Sequence, residues 1–364
     1  MNKNYYCIIM AGGIGSRFWP VSRNSTPKQF LDILGVGSTF IQQTYKRFVK
    51  IVPKENILVV TSVQYEELVK EQLPELLPEN ILLEPFRKNT APCIAYATYK
   101  LLCRNKDAVI VVSPSDHLIF DEAIFAETIR NALDYAQRED VLITLGVKPT
   151  KPETAYGYIQ CNVNNPIDIN GNTSFEVKTF TEKPDANLAH VFVESGEFLW
   201  NSGIFIWNLN TIRQELEKSQ GRIASLFSKG EGVYYTDGES EFIERAYEDC
   251  PSISIDYGVM EKTQKAVVYP TFFGWSDLGT WESLYAQEKK DENGNMIKAG
   301  AVMLNNVDRA LILSDQPHKL IVAYDLDGYM IINTENVLMI CPRDEVTVKN
   351  IITDLPLNNF GDYQ

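Results

Sequence analysis

The chain has 364 residues, 45% hydrophobic and 11% aromatic, so it can bury a sizeable core and is not disordered. Its 34 basic and 48 acidic residues leave a formal charge of −14. That balance excludes a nucleic-acid binder working by broad phosphate neutralisation, and docking on anionic membranes through a basic face.

In chain order, Tyr5–Met10 reads as a strand buried on both faces. A Gly-rich run follows, inside a stretch from Met1 to Leu31 that contains no Asp or Glu but carries Lys3, Arg17, Arg23 and Lys28. Concentrated positive charge in an acidic chain suits a multiply charged small anion; a solvated loop is the plainer reading. Thr39–Val52 has helical apolar spacing at Ile41, Tyr45, Phe48, Val49 and Val52. Asn56–Thr61 and Asn80–Leu83 read as strands. Thr90 with Pro92 close behind reads as a helix start. Ala108–Ser113 is another apolar strand, Asp121–Arg138 an amphipathic helix, and Val141–Val147 a further strand.

Strands alternating with helices imply an α/β fold with a mostly parallel sheet, whose ligands sit at the carboxyl ends of strands. The loops after Met10 and Ser113 are therefore the places to search. From Tyr158 the pattern is mixed, and Asp291–Asn295 is a polar break. Beyond it, Ala301–Leu304, Ala310–Ser314, Lys319–Ala323, Tyr329–Ile332 and Val337–Cys341 recur as short strands at roughly ten-residue spacing. A small all-β appendage follows from this, either a short β-helix or a sandwich. The expected domains are 1–287 and 288–364, in line with about two domains at roughly 150 residues each.

Six scattered cysteines form no CxxC pair, and only three histidines could join a zinc site, so neither a disulfide framework nor structural zinc is expected. The apolar segment Tyr5–Met10 is too short for a membrane span and has no signal-cleavage pattern. A cytoplasmic protein with reduced thiols is expected.

The loop reads Ala11-Gly12-Gly13-Ile14-Gly15-Ser16-Arg17-Phe18-Trp19-Pro20. Phe18 breaks a dinucleotide fingerprint, and the Gly-Lys-Ser/Thr of a P-loop is missing. With Ser22-Arg23 and Pro27-Lys28-Gln29-Phe30 added, the segment resembles the signature of nucleotide-sugar pyrophosphorylases, specifically the mannose-1-phosphate guanylyltransferases. The resemblance runs from residue 7 to about 285 through several separate motifs.

Each further motif has an ordinary structural reading beside the functional one. Glu84-Pro85 through Asn89-Thr90-Ala91-Pro92 could be only a helix start; in the family it lies near guanine and ribose. Lys88 and Cys93 depart from the usual Arg and Ala there. Ser115-Asp116-His117 closes a buried strand, where an Asp must cap, pair or bind metal. The resemblance makes Asp116 a magnesium ligand and leaves His117 a structural hydrogen-bonder. Glu182-Lys183-Pro184 could be a solvated turn; the resemblance makes Glu182 a partner for sugar hydroxyls and Lys183 for the 1-phosphate. Asn201 offers donor and acceptor to a vicinal diol, and Gly157 brings main chain close to the sugar. Ser254-Ile255-Asp256-Tyr257-Gly258 matches a family element with Gly258 in place of Ala, and otherwise reads as helix capping. Asp277 would be the second metal carboxylate. Trp275 and Trp281 read as core aromatics.

The resemblance implies a Rossmann-like, GT-A-like nucleotidyltransferase domain with a small left-handed β-helix-like tail. It implies transfer of GMP from GTP to α-D-mannose 1-phosphate. Arg17 and Lys28 would be catalytic. Ala11, Gly12, Gly13, Gly15, Ser16, Arg17, Asn89, Thr90, Ser115 and Asp116 would bind nucleotide, and Gly157, Glu182, Lys183 and Asn201 the sugar phosphate. Asp116 and Asp277 would hold Mg2+, and Arg23 would be structural. A homodimer is expected, with no nucleic-acid or membrane partner and no isomerase activity. Two alternatives stay open: a different sugar or base, and a non-catalytic sugar-nucleotide-binding regulatory subunit.

Overall fold

The computed structural model describes residues 1–364. The chain divides into two compact units: Met1–Gly12 with Ile41–Trp275, and Gly13–Phe40 with Ser276–Gln364. The division is not a single cut near residue 287. The segment that follows the first strand folds with the distant tail, because its apolar side chains share that unit's core.

In chain order the strands of the larger unit begin with β1 (Tyr5–Met10), β2 (Ile57–Ser62), β3 (Ile81–Glu84), β4 (Val109–Pro114) and the short β5 (Leu118–Ile119). They continue with β6 (Leu142–Val147), β7 (Gly157–Ile169), β8 (Asn172–Glu182), β9 (Phe198–Asn208) and β10 (Ala266–Thr271). All except β5 form one nine-stranded sheet. Its spatial order is β3-β2-β1-β4-β9-β6-β10-β8-β7, with β7 also pairing β9.

Strands β1, β2, β3 and β4 run parallel, as do β6 and β10, while β9 pairs antiparallel with both β4 and β6. The sheet is mixed and mostly parallel. Parallel strands covered on both faces need apolar residues at nearly every position, and β2 is buried throughout. One face packs against the helix Thr90–Leu102, whose small Ala91, Ala95 and Ala97 allow close approach, in a core with Ile8, Val60, Ile110 and Trp207. The helix Glu122–Arg138 starts where Asp121 accepts the Ala123 and Ile124 amides at 3.0 and 2.9 Å. Such a cap is worth about 1 kcal/mol. Its Phe125 meets Phe48 and Phe273 edge-on, with centroids 5.7 and 5.1 Å apart.

After β11 (Trp275–Ser276), the smaller unit carries β12 (Met296–Lys298), β13 (Ala301–Asp308), β14 (Leu311–Ser314), β15 (Leu320–Asp327), β16 (Tyr329–Asn333) and β17 (Leu338–Pro342). Successive strands from β12 to β16 alternate between two sheets. In one, β12, β14 and β16 are parallel, with β17 added antiparallel; in the other, β13 and β15 are parallel. Ala301 pairs with Leu320 and Leu311 with Met330, both nineteen residues on, whereas Met296 pairs with Leu311 only fifteen residues on. This is a β-helix-like coil. The tail is not all β: a helix spans Glu345–Leu357, capped where Asp344 accepts the Thr347 amide at 2.7 Å. Its weak amphipathicity, with only Val348 buried, hides it from the apolar pattern. The unit's core joins Phe18, Trp19, Ile33 and Phe40 to Trp281, Met296, Leu311, Met330, Met339 and Val348.

Candidate active site

In the larger unit the chemistry gathers where β7, β8 and β9 bring Gly157, Glu182 and Asn201 side by side. Gly157 pairs with Glu182 in the β7–β8 register. A Cβ on Gly157 would collide with Glu182 Oε2 and touch Asn201 Cβ at 3.4 Å, so only glycine lets that carboxylate lie over the strand. Asn201 donates from Nδ2 to Asp256 Oδ1 at 2.7 Å; its Oδ1 accepts from Thr144 Oγ1 at 3.3 Å and the Gly203 amide at 3.1 Å. These bonds fix the carboxamide's orientation. Burial lifts the Asp256 carboxyl to about 6; the Asn201 bond opposes the rise and the neighbouring Glu182 charge adds to it. Burial likewise raises Glu261, again with help from Glu182. Lys183, at φ 47°, places its ammonium 3.0 Å from Glu182 Oε1 and is largely exposed. Asp256 sits in one turn of π-helix, Asp256–Met260. The sequence alone reads Asp256 as a capping residue; the Ser-Ile-Asp-Tyr element is the signal that marks it.

The expected nucleotide residues of this unit lie at the carboxyl ends of β1, β3 and β4. The Ala11 amide donates to Val60 O at 2.8 Å, and Ala11 O accepts from Thr61 Oγ1 at 3.0 Å. Glu84 Oε2 lies 3.0 Å from where a Gly12 Cβ would stand. Burial raises the Glu84 carboxyl to about 7, against the pull of Tyr247, whose hydroxyl donates to Oε1 at 2.9 Å. Asn89, at φ 70°, caps the following helix by accepting the Thr90 amide at 2.8 Å. Thr90 Oγ1 accepts the Ile255 amide at 2.8 Å, which ties this loop to the segment bearing Asp256. Ser115 is buried; its amide donates to Met10 O at 3.1 Å and its carbonyl accepts from Thr44 Oγ1 at 3.0 Å. Asp116 follows it, half-buried. His117 Nδ1 accepts from Trp275 Nε1 at 3.1 Å, a structural role for both side chains.

The smaller unit holds Arg17, Arg23 and Lys28. Gly15 has φ 58°, and a Cβ there would lie 2.7 Å from both Lys28 Cβ and the Lys28 amide. That close approach requires glycine. Gly15 precedes the 3-10 turn Ser16–Phe18, in which Phe18 is fully buried and Arg17 is exposed. Gly13 is exposed, and its carbonyl accepts from Gln29 Nε2 at 2.8 Å. Lys28 is buried; its ammonium donates to Asp277 O at 2.5 Å and lies 5.0 Å from the Phe40 ring centroid. Asp277 Oδ1 accepts the Gly279 amide at 3.1 Å. A Cβ on Gly279 would stand 2.6 Å from Asp277 Oδ2 and 3.1 Å from an Arg17 guanidinium nitrogen. Gly279, which no sequence signal singles out, therefore lets Arg17 and Asp277 reach one place. Arg23 turns elsewhere, donating to Pro20 O at 3.3 Å and to Asn336.

Among known proteins, the nucleotidyl transferase family model matches residues 6–294. The chain is 37% identical over 363 residues to a mannose-1-phosphate guanylyltransferase of Klebsiella pneumoniae, covering 98% of this chain and 75% of that protein. It is 36% identical to the alginate biosynthesis protein AlgA of Pseudomonas aeruginosa, covering 98% and 73%. The crystal structure of a Thermus thermophilus protein described as a mannose-1-phosphate geranyltransferase superposes with a TM-score of 0.85 at 26% identity, covering 97% and 99%. The chain belongs to the nucleotidyl transferase family and, within it, to the mannose-1-phosphate guanylyltransferases.

Proposed function

We propose that the protein transfers GMP from GTP to α-D-mannose 1-phosphate, forming GDP-mannose and pyrophosphate. The observation that carries this reading is the set Arg17, Lys28 and Asp277: Arg17 and the Asp277 carboxylate meet over Gly279, and Lys28 donates to the Asp277 carbonyl. A phosphate oxygen of the sugar phosphate attacks the α-phosphorus of GTP, and the bond to the leaving pyrophosphate breaks. The nucleophile is already anionic at pH 7, so no general base is needed. Alignment and charge neutralisation supply the rate.

Arg17 and Lys28 hold the triphosphate and stabilise charge building on pyrophosphate. Backbone approach at Ala11, Gly12, Gly13, Gly15 and Ser16, with Asn89, Thr90 and Ser115, shapes the nucleotide's place. Glu182 and Asn201, beside Gly157, take the sugar hydroxyls, and Lys183 takes the 1-phosphate. Asp116 and Asp277 suit Mg2+, which accepts one or two carboxylates and takes its other oxygens from phosphate and water. When bound, the ion would neutralise phosphate charge.

The six cysteines are free and five are buried, which supports a reducing, cytoplasmic setting. No helix is long and apolar enough to cross a membrane. The exposed apolar row Met303, Leu320, Val322 and Tyr324 supports a homodimer through the smaller unit. A pyrophosphate-release assay over four nucleoside triphosphates and several sugar 1-phosphates tests the function. Turnover confined to GTP with mannose 1-phosphate is expected; a different preferred pair, or none, overturns it.

A further inference from the structure

Arg17 stands on a single 3-10 turn, and a cavity of about 130 Å³ lies beside it, lined by Trp281, Met330, Val348 and Ile352 among others. The cavity leaves the Arg17 side chain room to swing on that side. Its position therefore depends on the backbone beneath it, which Ser22 ties at Gly15 O at 2.6 Å and which residues beyond Ser276 hold at Phe18 and Trp19. Phe18 meets Trp281 edge-on with centroids 4.9 Å apart. The Trp19 carbonyl accepts from Trp281 Nε1 at 3.1 Å, and Trp19 Nε1 donates to Tyr363 O at 2.7 Å. The Asn24 amide donates to Gln364 O at 3.3 Å, and Gln364 Nε2 donates to Ile352 O at 2.7 Å. The segment after the last helix is thus bonded to that helix and to both ends of the Trp19–Asn24 turn.

We propose that Glu345–Gln364 is a positioning element for Arg17, acting through Trp19. The proposal rests on the reading of Arg17 as the triphosphate ligand. Trp19 and Tyr363 are positioning residues: they set where the guanidinium stands when charge builds on the leaving group. Such an element acts on turnover more than on capture of the sugar phosphate.

The test uses the full chain, Trp19→Phe, a deletion of Asn358–Gln364, and the two combined. Each single change should lower kcat about tenfold and leave the KM for mannose 1-phosphate unchanged, the scale of one lost ordering hydrogen bond. The double variant should be no worse than the poorer single, because both remove the same bond. Hydrogen exchange at the Phe18, Trp19, Val21 and Ser22 amides should quicken in the deletion variant. Unchanged kcat, losses that multiply in the double variant, or unchanged exchange would each overturn the proposal. If the deletion variant does not fold, Gln364→Ala, which frees the tail from Ile352, replaces it: a smaller loss of kcat is expected, with no further loss when it is added to Trp19→Phe, and an unchanged kcat overturns the proposal. A wild-type chain without transferase activity overturns the functional reading instead, and the exchange comparison alone then decides whether the tail holds the turn.

Discussion

Around Asn201 the larger unit partly buries acids, with Asp256 on the Asn201 amide and Glu182 folded over Gly157. Around Gly15 the smaller unit buries a cation, with Lys28 resting on a backbone carbonyl. The first arrangement keeps acceptors oriented for neutral hydroxyls, and desolvation raises an acid there toward neutrality. The second suits a polyanion, because a backbone carbonyl orients a buried ammonium beside the exposed Arg17. In a protein of net charge −14 the two surroundings differ in kind: carboxylates and an amide in one, a lysine on a carbonyl in the other.

The largest test of that contrast is Arg17→Ala. It should cut kcat about a hundredfold or more, the usual scale for losing a transition-state charge partner. Because Arg17 is exposed, thermal unfolding should hardly move; an unchanged rate breaks its assigned role. Gly157→Ala pushes a methyl against Glu182 and should raise the KM for mannose 1-phosphate about tenfold, with overpacking costing about 1–3 kcal/mol. An equal rise for GTP would show that the two sides are not separate.

Asp256→Asn probes the acid side through pH. The folded carboxyl titrates at about 6 against an ordinary 3.8, so the native state keeps a proton that the unfolded chain releases in between. Its contribution to stability is full below the ordinary value and is lost as pH rises through about 6. Glu84, at about 7, has the same sign. The variant should match wild type near pH 4 and exceed it near pH 8 by about 1–3 kcal/mol in denaturant melts. A constant difference across pH would remove Asp256 as the titrating group. The smallest effect is expected for Trp275→Phe, which loses the bond to His117 at about 1 kcal/mol. Differential scanning calorimetry reads it, and a loss several times larger would give that pair more than a structural role.

Local chemistry makes the strands legible. Tyr5–Met10 is where periodicity puts it, and the strand read as Ala108–Ser113 lies one residue along, at Val109–Pro114. The Gly15–Lys28 approach is legible as a glycine loop with a basic partner, but its tightness needs coordinates. The partners of Asp256 and Gly279 are hidden for another reason: they lie far away in sequence, Asn201 for one and Arg17 for the other. The same distance hides the unit boundary. Nothing local in Phe18 or Trp19 says that each will meet Trp281, which lies 262 residues beyond Trp19.

The stacked strands of the smaller unit, fifteen or nineteen residues apart, limit how this region can change length. Strand side chains alternate between faces, so adding or removing one residue turns Ile321 and Ala323 outward and Leu320 and Val322 inward. A whole rung keeps every face in phase. The coil therefore takes up length differences in the links between strands, where its own turns already differ by four residues, and resists single-residue edits within a strand.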